Sequence, residues 1–148
     1  LSFFHAGNVG DIMTFAGQQW IISHKTSTEA YLTLNGLSGN STWHDLDSTC
    51  QTWENNHLNA SQKAILKTIT AGNTSGKVFV ATKDQMNGGF SYFNSNNRRS
   101  VGSIYWTSTE ASTNSAFRVD AAGYSGSVSS KRDSYGFRPS VCFDLTKL

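Results

Sequence analysis

The sequence holds only two cysteines, Cys50 and Cys142, far apart and without a C-x-x-C spacing. That excludes a metal knuckle and a dithiol redox motif, and it favours two buried free thiols over a disulfide. Its four histidines, His5, His24, His44 and His57, form neither an H-x-x-x-H pair nor an H-E-x-x-H motif. No zinc or iron site is therefore expected, and each histidine reads as structural or surface-exposed. No nucleophile stands beside a base and no carboxylates pair at a usable spacing, so the chain reads as non-catalytic and without a cofactor. Charge is also scarce. Charged residues make up 15% of the chain, the net charge is +2, and the basic pairs are Arg98-Arg99 and Lys131-Arg132. Nucleic acid needs a phosphate-neutralising stripe, which this distribution does not supply. No apolar run approaches the ~20 residues of a membrane span, and no basic-then-apolar leader is seen, so membrane insertion is not expected.

Uncharged polarity takes the place of charge. Ser, Thr and Asn fill roughly a third of the chain, well above usual composition, against a hydrophobic content of 37%. Hydroxyls, amides and aromatic rings hydrogen-bond and stack without a long-range field, which suits a recognition module. At 148 residues the chain has the size of a single domain, able to bury about two-thirds of its unfolded surface. No internal repeat or domain boundary divides 1–148. The chain opens on Leu1 and Phe3-Phe4 rather than on Met, and is read as part of a longer protein. Matches to the glycosylation pattern at Asn40, Asn59 and Asn73 are what a chain this rich in Asn, Ser and Thr produces by chance.

Period-two alternation and glycine turns predict a strand meander: Ile12 to Phe15, Gln18 to His24 with Trp20, Ile22 and His24 on one face, and Ala30 to Leu34. Between Asp45 and Leu58, Leu46, Cys50, Trp53 and His57 or Leu58 recur at helical spacing, with Asp45 or Thr42 as cap. A short helix is predicted over Ser61 to Lys67, with Ala64 and Ile65 inward and Asn59 or Ser61 starting it. Lys77 to Thr82 reads as a central strand covered on both faces, and Lys83 to Met86 as a turn of helix. A long loop follows from Gly88 to Gly102. Further strands are predicted at Ile104 to Thr107, Ala116 to Asp120 and Phe137 to Leu145. In the second of these, Phe117 and Val119 are buried while Arg118 and Asp120 are presented. Ala121 to Ser134 reads as a Gly/Ser loop with one exposed aromatic, Tyr124.

The last third contains Tyr105-Trp106-Thr107-Ser108-Thr109-Glu110, then Ala116-Phe117-Arg118-Val119-Asp120, then Tyr135-Gly136-Phe137-Arg138-Pro139-Ser140-Val141-Cys142-Phe143. This order is similar to the close of C-type-lectin-like domains of bacteria and their phages. Gly10-Asp11-Ile12-Met13-Thr14-Phe15-Ala16-Gly17 resembles the family's opening G-D-x-[hydrophobic]-x-F-x-G, so the likeness reaches both ends. Relatives include uncharacterised domains, the variable proteins of diversity-generating retroelements such as phage tropism determinants and, distantly, the formylglycine-generating-enzyme fold.

The resemblance implies an α+β domain of C-type-lectin-like fold: a mixed, mostly antiparallel sheet, two flanking helices and long loops. It implies a non-catalytic module that binds a cell-surface protein or glycan, on a phage tail, a virion or a bacterial surface, displayed in several copies. An assembly or decoration domain of a virion is the alternative. The enzymes of this fold use a cysteine pair or several histidines that this chain lacks, and the calcium-dependent E-P-N loop is absent because the sole proline is Pro139. Trp106, Glu110, Gly136, Arg138 and Pro139 are expected to hold the scaffold, with Arg138 paired to Glu110. The ligand face is expected from Arg98, Arg99, Ser112, Asn114, Arg118, Asp120, Tyr124, Lys131 and Arg132, presented on loops and one strand face.

Overall fold

A computed structural model describes residues 7–148 of the chain; Phe3, Phe4 and His5 lie outside the described residues. Strands β1 (Ile12–Phe15), β2 (Gln18–Lys25) and β3 (Glu29–Leu34) form the expected antiparallel meander. The last strand, β11 (Ser140–Asp144), pairs with β3 from Ser140 opposite Thr33 to Asp144 opposite Glu29, giving the order β1-β2-β3-β11. A second sheet has the order β4-β10-β7-β8-β9. Its strands are β4 (Asn40–Thr42), β7 (Tyr105–Glu110), β8 (Ser115–Val119), β9 (Ser127–Ser130) and β10 (Ser134–Gly136). All its pairings are antiparallel except β10 with β7, which meet in parallel at Gly136 and Tyr105. A small hairpin, β5 (Ile69–Ala71) with β6 (Thr74–Gly76), lies between β4 and β7 in sequence. The fold is α+β, mostly antiparallel, with few helices.

Helix α1 (Leu46–His57) buries Leu46, Cys50 and Trp53, the stripe that its spacing dictates. Trp53 meets Trp20 of β2 edge-on at 5.7 Å, and Asp47 accepts the Ser75 N–H, which fastens the helix to β6. Asp45 occupies the cap position without a side-chain bond, while Thr42 accepts the Asp45 N–H. Helix α2 (Ala60–Ala64) starts in a capping box: Asn59 accepts from the Gln62 N–H and the Gln62 side chain accepts from the Asn59 N–H. It ends sooner than expected; Ile65 is half-buried and packs against the core as expected, whereas Ala64 is exposed.

Strand β7 stands between two apolar clusters, because its successive side chains point to opposite faces. Trp106 joins the cluster containing Trp20, Ile22, Leu46 and Trp53, whereas Tyr105 joins Phe79, Met86, Phe90, Phe93 and Val119. The same geometry revises the reading of β8. Ala116 packs into the first cluster and Val119 into the second, so neither face is wholly presented. Phe117 is half-buried beneath the Lys83 ammonium at 4.1 Å, and Arg118 is half-buried as well.

Three further expectations are corrected. A bulge in β2 between Ile22 and His24 turns His24 away from Trp20 and Ile22. His24 stacks instead with Phe90 at 6.1 Å and lies near Tyr31. Val78, Phe79, Val80 and Ala81 are all buried as expected, but they form no continuous strand: Phe79 exchanges both hydrogen bonds with Ser140, and the Ala81 carbonyl accepts the Ser108 N–H of β7. Ala121 to Ser134 is not one loop: Ser127–Ser130 forms the outer strand β9. Within the Gly88 to Gly102 loop, Asn96–Arg99 makes a single helical turn, α3, capped by Ser95.

Candidate functional site

The nine residues expected on the ligand face separate into those that hold the fold and those that remain free. Arg99 and Lys131 are corrected first, because both are buried, at 7% and 4% exposure. Arg99 donates to the carbonyls of Gly123 (2.7 Å), Phe93 (3.2 Å) and Met86 (3.3 Å), and to Asn96 Oδ1 (2.7 Å). Sequence treats Arg98 and Arg99 alike, but neighbours in a helical turn point about 100° apart. Arg98 faces out over the Tyr92 ring at 5.0 Å while Arg99 turns in. Strand parity carried past β9 separates Lys131 from Arg132 in the same way. Lys131 Nζ donates to Glu110 Oε2 and the Thr113 carbonyl, 4.8 Å from the Trp43 ring centre.

Several of the others are spent locally. Arg118 Nε donates to Ser129 Oγ at 2.6 Å, with its guanidinium 5.7 Å from the Tyr135 ring. Asp120 Oδ1 accepts the amides of Ala122 and Tyr124 and thereby closes its own turn. Ser112 Oγ lies 2.6 Å from Ser115 Oγ in the β7–β8 turn. Tyr124 is open, at 54% exposure, as are Arg98, Ser112, Asn114 and Arg132.

Three of the nine come together. Asn114, Lys131 and Arg132 line a hollow of about 570 Å³ with His44, Thr113 and Ser130, within the size range of small-ligand pockets. The β7–β8 turn and the segment after β9 form its sides, held in register where the Lys131 N–H bonds the Asn114 carbonyl at 3.0 Å. His44 was missed by the sequence reading. The link is tertiary: the Trp43 N–H donates to the Lys131 carbonyl at 3.1 Å, which places His44 at the rim. Glu110 cancels the Lys131 charge, whereas among the described residues no carboxylate pairs with Arg132. The hollow thus presents hydroxyls, an amide, an imidazole and one uncompensated guanidinium.

Four of the five motif residues sit inside, whereas Glu110 is exposed and engages the scaffold through Lys131. Trp106 is 1% exposed and its indole N–H donates to the Ser41 carbonyl at 2.9 Å, joining β7 to β4. Arg138 does not pair with Glu110. Its guanidinium donates to the carbonyls of Leu34 (2.9 Å) and Arg99 (3.1 Å) and to the Tyr105 hydroxyl (2.9 Å), about 5 Å from the Phe93 and Tyr105 rings. The Pro139 carbonyl accepts the Leu34 N–H one residue before β11 begins, a position where its missing donor costs nothing. Gly136 is buried where a Cβ would lie 2.9 Å from the Ile104 carbonyl.

Cys50 and Cys142 are both free and buried, in different clusters. Burial, reinforced by Glu29, pushes the Cys142 thiol up to about 12; burial and then Asp47 and Glu54 push Cys50 up as well. Both are neutral thiols at physiological pH. A chromogenic disulfide titrated at pH 8 is expected to find no reactive thiol in the native domain and both after denaturation. Because the folded values are raised, this contribution to stability is complete below the ordinary thiol value near 8.5 and is lost as pH rises towards 12. Among the described residues no group of three or more His, Cys, Asp or Glu could hold a metal ion, so Glu110, Asp120 and Asp133 do not gather. No described helix is long and apolar enough to cross a membrane.

No protein-family model matches the chain, and no curated protein matches it significantly.

Proposed function

We propose that the chain is a non-catalytic recognition domain of C-type-lectin-like type that binds a cell-surface ligand, protein or glycan, through the hollow around Asn114 and Arg132. The observation that carries this reading is the division between buried motif residues and an open polar hollow. Trp106, Arg138 and Lys131 are committed to the interior, while Asn114, Arg132 and His44 are exposed on connections fixed to that scaffold, beside Ser130 at the end of β9. A rigid frame with free polar groups on its turns is the usual arrangement of a binding site. The fold supports the family reading at the coarser level of an antiparallel α+β domain whose last strand pairs beside its third. Neutral, buried thiols weigh against the cysteine chemistry of the enzymes with this fold. A single site of this size binds modestly, so display in several copies on a phage tail, virion or bacterial surface fits it.

The test is adhesion of a fluorescent, multimerised domain to a panel of bacterial cells. Asn114→Ala with Arg132→Ala is expected to lower binding by roughly tenfold or more, since Arg anchors dominate interfaces. Both residues are exposed, so the melting temperature is expected to stay unchanged. Binding equal to the parent removes the proposed site. The assembly reading draws on the edge strand β9, where Val128 is 48% exposed. A domain that adheres to no cell, with Val128 protected from solvent in the assembled particle, would favour it.

A further inference from the structure

We infer that the hollow is one end of a longer polar groove along α1, and that its ligand is a neutral oligosaccharide chain; this rests on the recognition reading above. Two more hollows follow the first. One, of about 460 Å³, is lined by Asp45, Ser48, Thr52 and Asn56 among others. The next, of about 440 Å³, shares Asn56 and His57 with it and reaches the β1–β2 turn at Gly17. The first and the second are lined by residues consecutive in the chain, His44 and Asp45. The groove therefore runs at least the length of α1, about 18 Å at 1.5 Å per residue.

Its chemistry selects the occupant. Ser48, Thr52 and Asn56 follow one another at i, i+4 on one helix face, where side chains line up. The Asp45 carboxylate, the Thr52 hydroxyl and the Asn56 amide are exposed, and among the described residues no hydrogen bond or ion pair engages them. His57 stacks flat on Trp53 at 4.2 Å with Nδ1 at the Trp53 carbonyl, which leaves Nε2 free. Asp45 is the single carboxylate among these groups, so the middle of the groove attracts neither polyanions nor polycations strongly. An extended peptide would need a main-chain edge or open apolar pockets. A helix face offers no main-chain edge, and Trp53 and Phe137 are only 5% and 1% exposed. Ser48 already donates to the Asp45 carbonyl, and the Thr52 hydroxyl and the Asn56 amide, free to donate and accept, match the hydroxyls of a sugar chain.

The experiment uses the whole domain on a printed array of neutral and acidic oligosaccharides in graded lengths, followed by titration of the best series. Affinity is expected to rise with chain length, and Thr52→Val with Asn56→Ala to flatten that rise, losing about fivefold per hydrogen bond on the longest member. Both sites are exposed, and an unchanged melting curve confirms that folding is intact. Unchanged length dependence in this variant overturns the groove. If Asn114→Ala with Arg132→Ala alone abolishes binding, the recognition reading stands and the groove falls. Retention of no saccharide, with cell adhesion intact, overturns the sugar assignment and leaves a protein ligand.

Discussion

Arg99→Ala is expected to lower the stability of the domain by about 3–5 kcal/mol, the range seen when a buried charged partner is removed. The guanidinium gathers four acceptors from three separated segments, at Met86, at Phe93 with Asn96, and at Gly123. Truncation leaves the Met86, Phe93 and Gly123 carbonyls buried without this partner, and each unsatisfied group costs about 1–3 kcal/mol. The Arg99 carbonyl in turn accepts from Arg138 and from the Tyr105 hydroxyl, so the loop and the G-F-R-P segment share one network. Among the described residues neither arginine has a carboxylate as a hydrogen-bond partner, so carbonyls, the Tyr105 hydroxyl and, for Arg138, ring faces compensate two buried cations. Arg99→Lys keeps the charge but not the fork of donors, and is expected to recover less than half of the loss. A thermal melt checks both variants: the alanine variant should unfold roughly 10 °C or more below the parent. A melt within a degree of the parent would show that the network does not hold the loop.

Gly72→Ala is the second large effect. Gly72 sits at φ 54°, in the left-handed region, at the tip of the β5–β6 hairpin, where an added Cβ would lie 1.9 Å from the Ser108 carbonyl oxygen. That oxygen belongs to β7 and accepts the Asn73 N–H at 3.1 Å. The hairpin cannot keep that bond and admit a methyl group, so it must lift from β7. The expected loss is about 2–4 kcal/mol, from overpacking together with local strain. Urea unfolding measures it as a lower midpoint with an unchanged slope. Ala at Gly17, whose added Cβ would meet nothing within 4 Å, provides the control and is expected to cost less.

The parts of the fold that were legible in sequence are those driven by apolar periodicity. The meander β1 to β3, the buried stripe of α1 and the burial of Val78 to Ala81 all rest on side chains that must leave water. Strands β4, β6, β9 and β10 were not legible. Their sequences, Asn-Ser-Thr, Thr-Ser-Gly, Ser-Val-Ser-Ser and Ser-Tyr-Gly, carry little hydrophobic pattern, and they become strands because neighbouring main chains offer ladder partners. The bulge that turns His24 left no mark in composition either. At the site, the polar turns were found, but Arg99 and Lys131 were placed outside because sequence treats an arginine or lysine in a Ser/Asn-rich stretch as solvated. Their burial is explained by the carbonyls of Met86, Phe93, Gly123 and Thr113 together with Asn96 Oδ1 and the Glu110 carboxylate, partners that the local sequence does not reveal. His44 and the α1 groove stayed hidden for the same reason, since their neighbours come from distant segments.

The most direct test is a surface-displayed library of single substitutions, sorted once for folded expression and once for adhesion to cells that the parent binds. Substitutions at Gly72, Arg99, Trp106 and Arg138 should be lost from both sorts. Those at His44, Asn114, Ser130 and Arg132 should be lost from the adhesion sort alone. An adhesion-only set elsewhere, such as along β9 at Val128, or none at all, would contradict the account.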